Sequence, residues 1–217
     1  MALQFVVGGA GSGKTRCLYE RAIEESMKHP ELSYLFVVPE QYTMQTQREI
    51  IRLHPRHGVM NIDILSFKRL AYRVFEDLGV QVPVVLDDTG KSMILRKAAG
   101  RRRRELTFYG GHLDQAGFIN QMKSQISELY QYGLGPDDLA QVREASDRRL
   151  LGAKLKDLEI LYRELKEYIK TRCITAEEIL DILCRELPRW GKLRDSVFFM
   201  DGFTGLTPVQ YRLARIM

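Results

Sequence analysis

Eight residues near the start of the chain, Gly8 to Thr15, read "GGAGSGKT". They fit the pattern G-x-x-x-x-G-K-[ST]. In that pattern glycines let successive backbone amides turn inward around phosphate oxygens, and the N-terminus of the following helix adds partial positive charge. The candidate nucleotide-binding residues are therefore Gly8, Gly9, Ala10, Gly11, Ser12, Gly13, Lys14 and Thr15. Lys14 is expected to reach the β- and γ-phosphates and Thr15 to ligate magnesium, which makes Mg2+ with ATP the expected cofactor. A second candidate metal ligand, Asp201, follows the apolar run "VFFM" at 197–200. An aspartate after a strand is by itself a common turn or cap residue. Beside a phosphate loop it suits the second magnesium contact of a nucleotide hydrolase. Such enzymes usually place another carboxylate next to it, and here the next residue is Gly202. No residue is assigned a catalytic role, because the side chain that would activate water is missing.

These residues need elements to hold them. "LQFVV" (3–7) predicts a short buried strand, and a helix follows from Lys14 to about Met27 with Leu18, Ala22, Ile23 and Met27 on one face. "SYLFVVPE" (33–40) predicts a second strand, ended by Pro39, and "NIDIL" (61–65) a third. Ser66 can cap a helix in which Phe67, Leu70, Ala71, Val74, Phe75 and Leu78 fall at helical spacing. Alternation of strand and helix is the pattern of a parallel α/β sheet. From Asp87 to Leu187 the pattern is helical. Thr89 is a candidate cap for a helix reaching Ala99, and Phe118, Ile119, Met122, Ile126, Leu129 and Tyr130 mark another helix, stopped by "YGLGP". Pro136 suits a first helical turn. From about Asp147 to Thr171, Leu151, Leu155, Leu158, Tyr162, Leu165 and Ile169 form a stripe that calls for one partner helix along its length. Thr175 and Glu178 form a capping box for a helix reaching Glu186. The expected fold is α/β, with residues 1–82 and 190–217 forming the sheet domain and 83–189 a helical insertion.

Composition narrows the class. The 217 residues are 45% hydrophobic and 28% charged, as in a soluble globular protein, and no apolar run reaches the ~18 residues of a membrane span. The N-terminus carries no basic leader, and Cys17, Cys173 and Cys184 form no CxxC pair, so reduced, buried thiols in the cytoplasm are expected. The net charge is +5, and "KSMILRKAAGRRRR" (91–104) holds seven basic residues and no acidic one. Such a block can track nucleic-acid phosphates or simply be a solvated helix end.

Four ordered stretches, "GGAGSGKT", "VVPEQYTMQTQ" (37–47), "ILSFKRLAYRVF" (64–75) and "MDGFTGLTPVQ" (200–210), resemble the AddB (RexB) family, the B subunits of bacterial AddAB-type helicase–nucleases. Their order is similar to the first motor domain of UvrD-like superfamily 1 helicases. The resemblance implies a RecA-like P-loop domain interrupted by a helical domain, and a partnership with an AddA-type helicase subunit in a complex that resects double-stranded DNA breaks and responds to a Chi signal. It also implies a C-terminal nuclease domain, with a 4Fe-4S cluster on four cysteines, outside these residues. In the related helicases, segments after the second and third strands contact single-stranded DNA. The matching positions are Gln41, Tyr42, Thr43, Phe67, Arg69 and Tyr72, with Phe203 a further candidate. Aromatic faces there can stack on bases, Arg69 can bind phosphate, and Gln41 and Thr43 can hydrogen-bond base edges. Phe67 also lies on an apolar stripe and is equally a core residue by periodicity. Gly202, the lack of an adenine-reading glutamine segment before the loop, and the lack of a second motor domain with its arginine finger imply nucleotide binding with little hydrolysis. The rival readings are a stand-alone P-loop phosphotransferase and an interaction module whose loop is a relic.

Overall fold

The computed structural model describes residues 3–58, 60–115, 117–170 and 173–217. It is an α/β structure that divides into two compact units. One comprises residues up to Val80, Leu183–Leu206 and Arg212–Met217; the other comprises Gln81–Ile182 and Thr207–Tyr211.

The first unit is built on a parallel sheet in the order β2–β1–β5, with β1 Ser33–Val37, β2 Ile62–Leu65 and β5 Ser196–Met200. Tyr34 pairs with Ile62 on one side of β1 and with Val197 on the other, and Val37 with Leu65 and Met200. As the middle strand, β1 has both faces covered, and Tyr34, Leu35, Phe36 and Val37 are all buried. That is why it reads as an unbroken apolar run and not as an alternating one. Phe36 stacks on Phe199 at 5.2 Å between ring centroids and meets the edge of Tyr19 at 5.4 Å.

Three helices surround this sheet. Helix α1 (Lys14–Lys28) buries Tyr19, Ala22, Ile23 and Ser26. Helix α2 (Thr43–Leu53) buries Thr43, Thr46 and Ile50, an i, i+3, i+7 stripe too sparse to stand out among "TMQTQRE". Helix α3 (Phe67–Leu78) starts at Ser66, whose hydroxyl accepts from the Arg69 amide. It ends at Gly79, whose φ of 64° suits a residue without Cβ. The segment that leads into β5 is tied to the last turn of α3 by Asp77. Its carboxylate accepts from Trp190 Nε1 at 2.8 Å and from Lys192 Nζ at 2.9 Å, and these hydrogen bonds, Lys192 first, hold the carboxyl below the ordinary aspartate range. Trp190 is itself buried. Its loop-like surroundings "LPRWGK" mark it for no role in the sequence; in the fold it anchors this return of the chain.

The expected strand at 3–7 does not form. Both edges of β1 are taken by β2 and β5, and the segment joins neither of the outer edges that remain. Leu3, Phe5 and Val7 stay 81%, 79% and 89% exposed. An apolar run makes a strand only where an edge is available to pair with its backbone.

In the second unit, α4 (Asp88–Arg102), α5 (Phe118–Gln131), α6 (Pro136–Glu144) and α7 (Arg149–Ile169) pack around Leu95, Met122, Ile126, Leu158, Leu161, Tyr162 and Leu165. Two-residue strands β3 (Val85–Leu86) and β4 (Ile174–Thr175) pair in parallel. Asp87, not Thr89, caps α4: its Oδ1 accepts from the Gly90 amide at 2.7 Å, and Thr89 lies within the first turn. The stripe on α7 meets three helices, α4, α5 and α6, instead of one. Its expected end at Thr171 lies outside the described residues. The remaining helices are α8 (Glu178–Glu186), opened by the expected Thr175–Glu178 box, and α9 (Pro208–Ile216).

The cysteines depart from expectation. Cys17 is exposed, off the buried stripe of α1, and Cys173 and Cys184 are half-buried. Among the described residues no helix is long and apolar enough to cross a membrane.

Candidate functional site

The glycine-rich loop is shaped as its sequence requires. Gly11 and Gly13 have φ of 72° and 86°, a region that costs other L-residues about 1–2 kcal/mol. A Cβ on Gly8 would lie 2.5 Å from Ser12 Oγ. The loop closes through the Ser12 amide on the Gly9 carbonyl, and α1 begins at Lys14. Lys14 Nζ donates to the carbonyls of Gly8 and Gly9, at 2.9 and 2.7 Å, so its ammonium is held across the loop. Thr15 stands exposed in the first turn of the helix.

Asp201 follows β5, and its amide donates to the Val37 carbonyl at 3.3 Å, continuing the β1–β5 ladder. Its charge is felt on α1. Burial pushes the Tyr19 hydroxyl up, against the hydrogen bond to Thr46, and the negative charges of Asp201 and Glu49 add to the rise. Tyr19 lies one helical turn beyond Thr15 on α1. The lysine and hydroxyl that close the glycine loop, together with the Asp201 carboxylate, carry the donor chemistry that Mg2+ and a triphosphate require, and the residue types present fit the group.

Because β1, β2 and β5 are parallel, the segments that follow them emerge at one end of the sheet, where open α/β sheets bind ligands. Those segments carry most of the candidate DNA contacts. After β1, a single 3-10 turn (Glu40–Tyr42) leads into α2, leaving Gln41 and Tyr42 exposed. Thr43 is buried, and its hydroxyl donates to the Glu40 carbonyl at 2.9 Å; it shapes the turn and is not presented to a ligand. After β2, Phe67 is buried and Arg69 exposed. After β5 comes Phe203, half-buried, its ring 5.5 Å from that of Phe67. Phe67 thus belongs to the core face of α3 and supports Phe203; its own ring is covered. Tyr72, one turn beyond Arg69, is 41% exposed.

Two further residues join this cluster. Glu40 accepts from Arg69 Nε at 3.1 Å and from the Ser66 hydroxyl, linking the segment after β1 to the one after β2. Nothing in the sequence marks this pair, since the partners lie 29 positions apart. Gly202 has φ of 78°, and a Cβ there would lie 3.4 Å from both Pro39 Cδ and Tyr42 Cδ2. A side chain at the position where a second carboxylate is usual would start in contact with the Tyr42 ring.

A family model described as "ADDB, N-terminal" matches residues 5–217. The chain belongs to the AddB N-terminal family. Curated relatives, each named as the B subunit of an ATP-dependent helicase/deoxyribonuclease, align along nearly its whole length. The one from Lachnoclostridium phytofermentans is 46% identical over 214 residues, covering 98% of this chain and 19% of the relative. Those from Alkaliphilus metalliredigens and Geobacillus kaustophilus are each 34% identical, covering 96% and 98% of this chain and 18% and 19% of the relatives. The chain therefore spans about a fifth of the length of the AddB relatives it matches. The match gives no support to the stand-alone phosphotransferase.

Proposed function

We propose that this chain is the nucleotide-holding, single-strand-binding part of the B subunit of an ATP-dependent helicase–deoxyribonuclease, working with an AddA-type partner in the cytoplasm on broken double-stranded DNA. On this reading the sheet unit is a RecA-like motor domain, interrupted by the helical unit, that has kept its ligands and lost its base. The carrying observation is the convergence of Tyr42, Arg69 and Phe203, from the segments after three parallel strands, at one end of the sheet.

The roles follow from chemistry. Tyr42 and Phe203 offer ring faces to unpaired bases, and Tyr72 a third along α3. Gln41 can donate to and accept from base edges, as reading a short signal such as Chi requires. Arg69 binds backbone phosphate, with Glu40 holding its guanidinium in place until a phosphate competes for it. At the glycine loop, Lys14 binds phosphate oxygens while Thr15 and Asp201 would hold Mg2+, which supplies charge neutralisation when bound. The residue next to Asp201, Gly202, has no carboxylate to take a proton from water.

Fluorescence anisotropy with a labelled single-stranded oligonucleotide tests this. Binding should weaken as salt rises. Arg69→Ala and Tyr72→Ala should each reduce affinity, the tyrosine by roughly 1–3 kcal/mol. Unchanged affinity in both variants would remove this surface from the DNA site.

A further inference from the structure

The basic run at 91–104 takes no part in the sites above, and the structure sorts its members. Lys91 is buried and bound to both oxygens of Glu177 at 2.9 and 2.8 Å. Arg102 bridges Glu105 and Glu164, and Arg103 pairs with Asp114. Arg96, Lys97, Arg101 and Arg104 are exposed, with no ion-pair partner among the described residues.

The chain beyond these arginines is held with unusual care for an exposed loop. Asp157 of α7 is fully buried. Its carboxylate accepts from the backbone amides of Thr107, Phe108 and Tyr109, at 2.9, 2.8 and 2.7 Å, and from the Thr107 hydroxyl at 3.3 Å. Gly110 then passes so close to the end of α4 that a Cβ would lie 2.4 Å from the Leu106 carbonyl oxygen and 3.0 Å from that of Arg103. The segment 107–112 is thereby fixed against the arginine run. It forms one wall of an open cavity of about 440 Å3, lined by Phe108, Tyr109, His112, Gln115, Phe118 and Gln121. The aromatic rings support one another: Phe108 meets Tyr109 edge-on at 4.8 Å, and Tyr109 lies 5.4 Å from Phe118. Lys154 Nζ sits 4.8 Å from the Phe108 ring centroid. His112, Gln115 and Gln121 are exposed at the rim.

We propose that this cavity receives an unpaired base of single-stranded DNA, with Arg101 and Arg104 on the adjoining phosphates. An aromatic ring face in the wall accepts any base by stacking, though the rings stand edge-on or tilted to one another, and two glutamine amides can pair with base edges. The unpaired arginines beside it match a polyanion, and Lys154 adds to the same field. Rigid backbone matters here, because a stacking platform loses affinity if binding must first order it. The site lies in the helical unit and stands on residues different from those that follow the parallel strands.

The test uses the 217-residue chain carrying Arg69→Ala and Tyr72→Ala, an oligo-dT probe read by anisotropy, and photo-crosslinking with 5-iododeoxyuridine in the same oligonucleotide. The expected result is residual binding with crosslinks in the peptide containing Phe108 to His112. Phe108→Ala should weaken that binding about tenfold, and Arg104→Ala should lower the slope of log K against log salt by about 0.7. His112→Ala and Arg104→Ala change exposed side chains, so they serve even if Phe108→Ala fails to fold. Crosslinks confined to other segments, or unchanged binding in both exposed-residue variants, would overturn the proposal, as would a duplex competing better than the single strand. If the Arg69 and Tyr72 substitutions change nothing while the Phe108 crosslinks persist, the surface at 40–72 fails and this cavity stands.

Discussion

Gly202 decides more than any other single residue here. It is where a second carboxylate would follow Asp201, and its backbone adopts a conformation in which a side chain is strained. A Cβ there would touch Pro39 and Tyr42 at 3.4 Å, an ordinary contact, so it is the backbone conformation that disfavours a side chain beside Asp201. Gly202→Ala should destabilise the chain by about 1–2 kcal/mol. That is a fall in Tm of about 2–8 °C for a domain of this size, readable by calorimetry. Gly202→Glu should lower the Tm at least as far, weaken single-strand binding by displacing Tyr42, and restore no measurable ATP turnover. A Gly202→Glu chain as stable as the parent, and hydrolysing ATP, would mean that the position is a vacant catalytic slot.

Among the elements, the return of the chain to β5 shows how charge holds the sheet unit. Asp77 gathers Trp190 and Lys192, and its pKa lies below that of an unfolded aspartate. The stabilisation is therefore complete above the unfolded value of about 3.9 and lost as pH falls through the lower folded value. Asp77→Asn should cost about 1–2 kcal/mol at pH 7, and the gap from the parent should close on acidification below about pH 4, as urea melts across pH will show. A gap that persists unchanged at about pH 2 would assign the loss to packing. This tie is invisible in the sequence, since residues 77 and 190 meet only through the fold. Helix α3, by contrast, is legible to the residue: Ser66 as its cap and Leu70, Ala71 and Val74 on its buried face. Strand β1 is legible because a middle strand is apolar on both faces. Segment 3–7 carries the same local signal, yet pairing depends on a partner that local pattern cannot report. Helix α2 escapes notice for the opposite reason, its inward residues being few and two of them threonine. At the candidate site the phosphate loop, Asp201 and the exposed residues Gln41, Tyr42, Arg69 and Tyr72 can be named from the sequence. Glu40, the covering of Phe67 and the turn-shaping role of Thr43 are tertiary facts.

At the scale of the whole molecule, the proposed function joins a kept nucleotide site to a lost hydrolytic one. In that proposal Lys14, Thr15 and Asp201 supply the binding chemistry. The missing base removes roughly 10²–10⁴ in rate, and an arginine finger, which this chain is not proposed to supply, a further 10³–10⁵ or so. The most direct test is made on the 217-residue chain with magnesium, measuring ATP binding by titration calorimetry and phosphate release in the same preparation, beside Lys14→Ala. The expected result is a binding isotherm that Lys14→Ala abolishes, with phosphate release no faster than in that variant. Turnover of about one per second, ordinary for a nucleotide-hydrolysing or phosphoryl-transfer enzyme, that disappears in Lys14→Ala would contradict this, because another residue would then be activating the water.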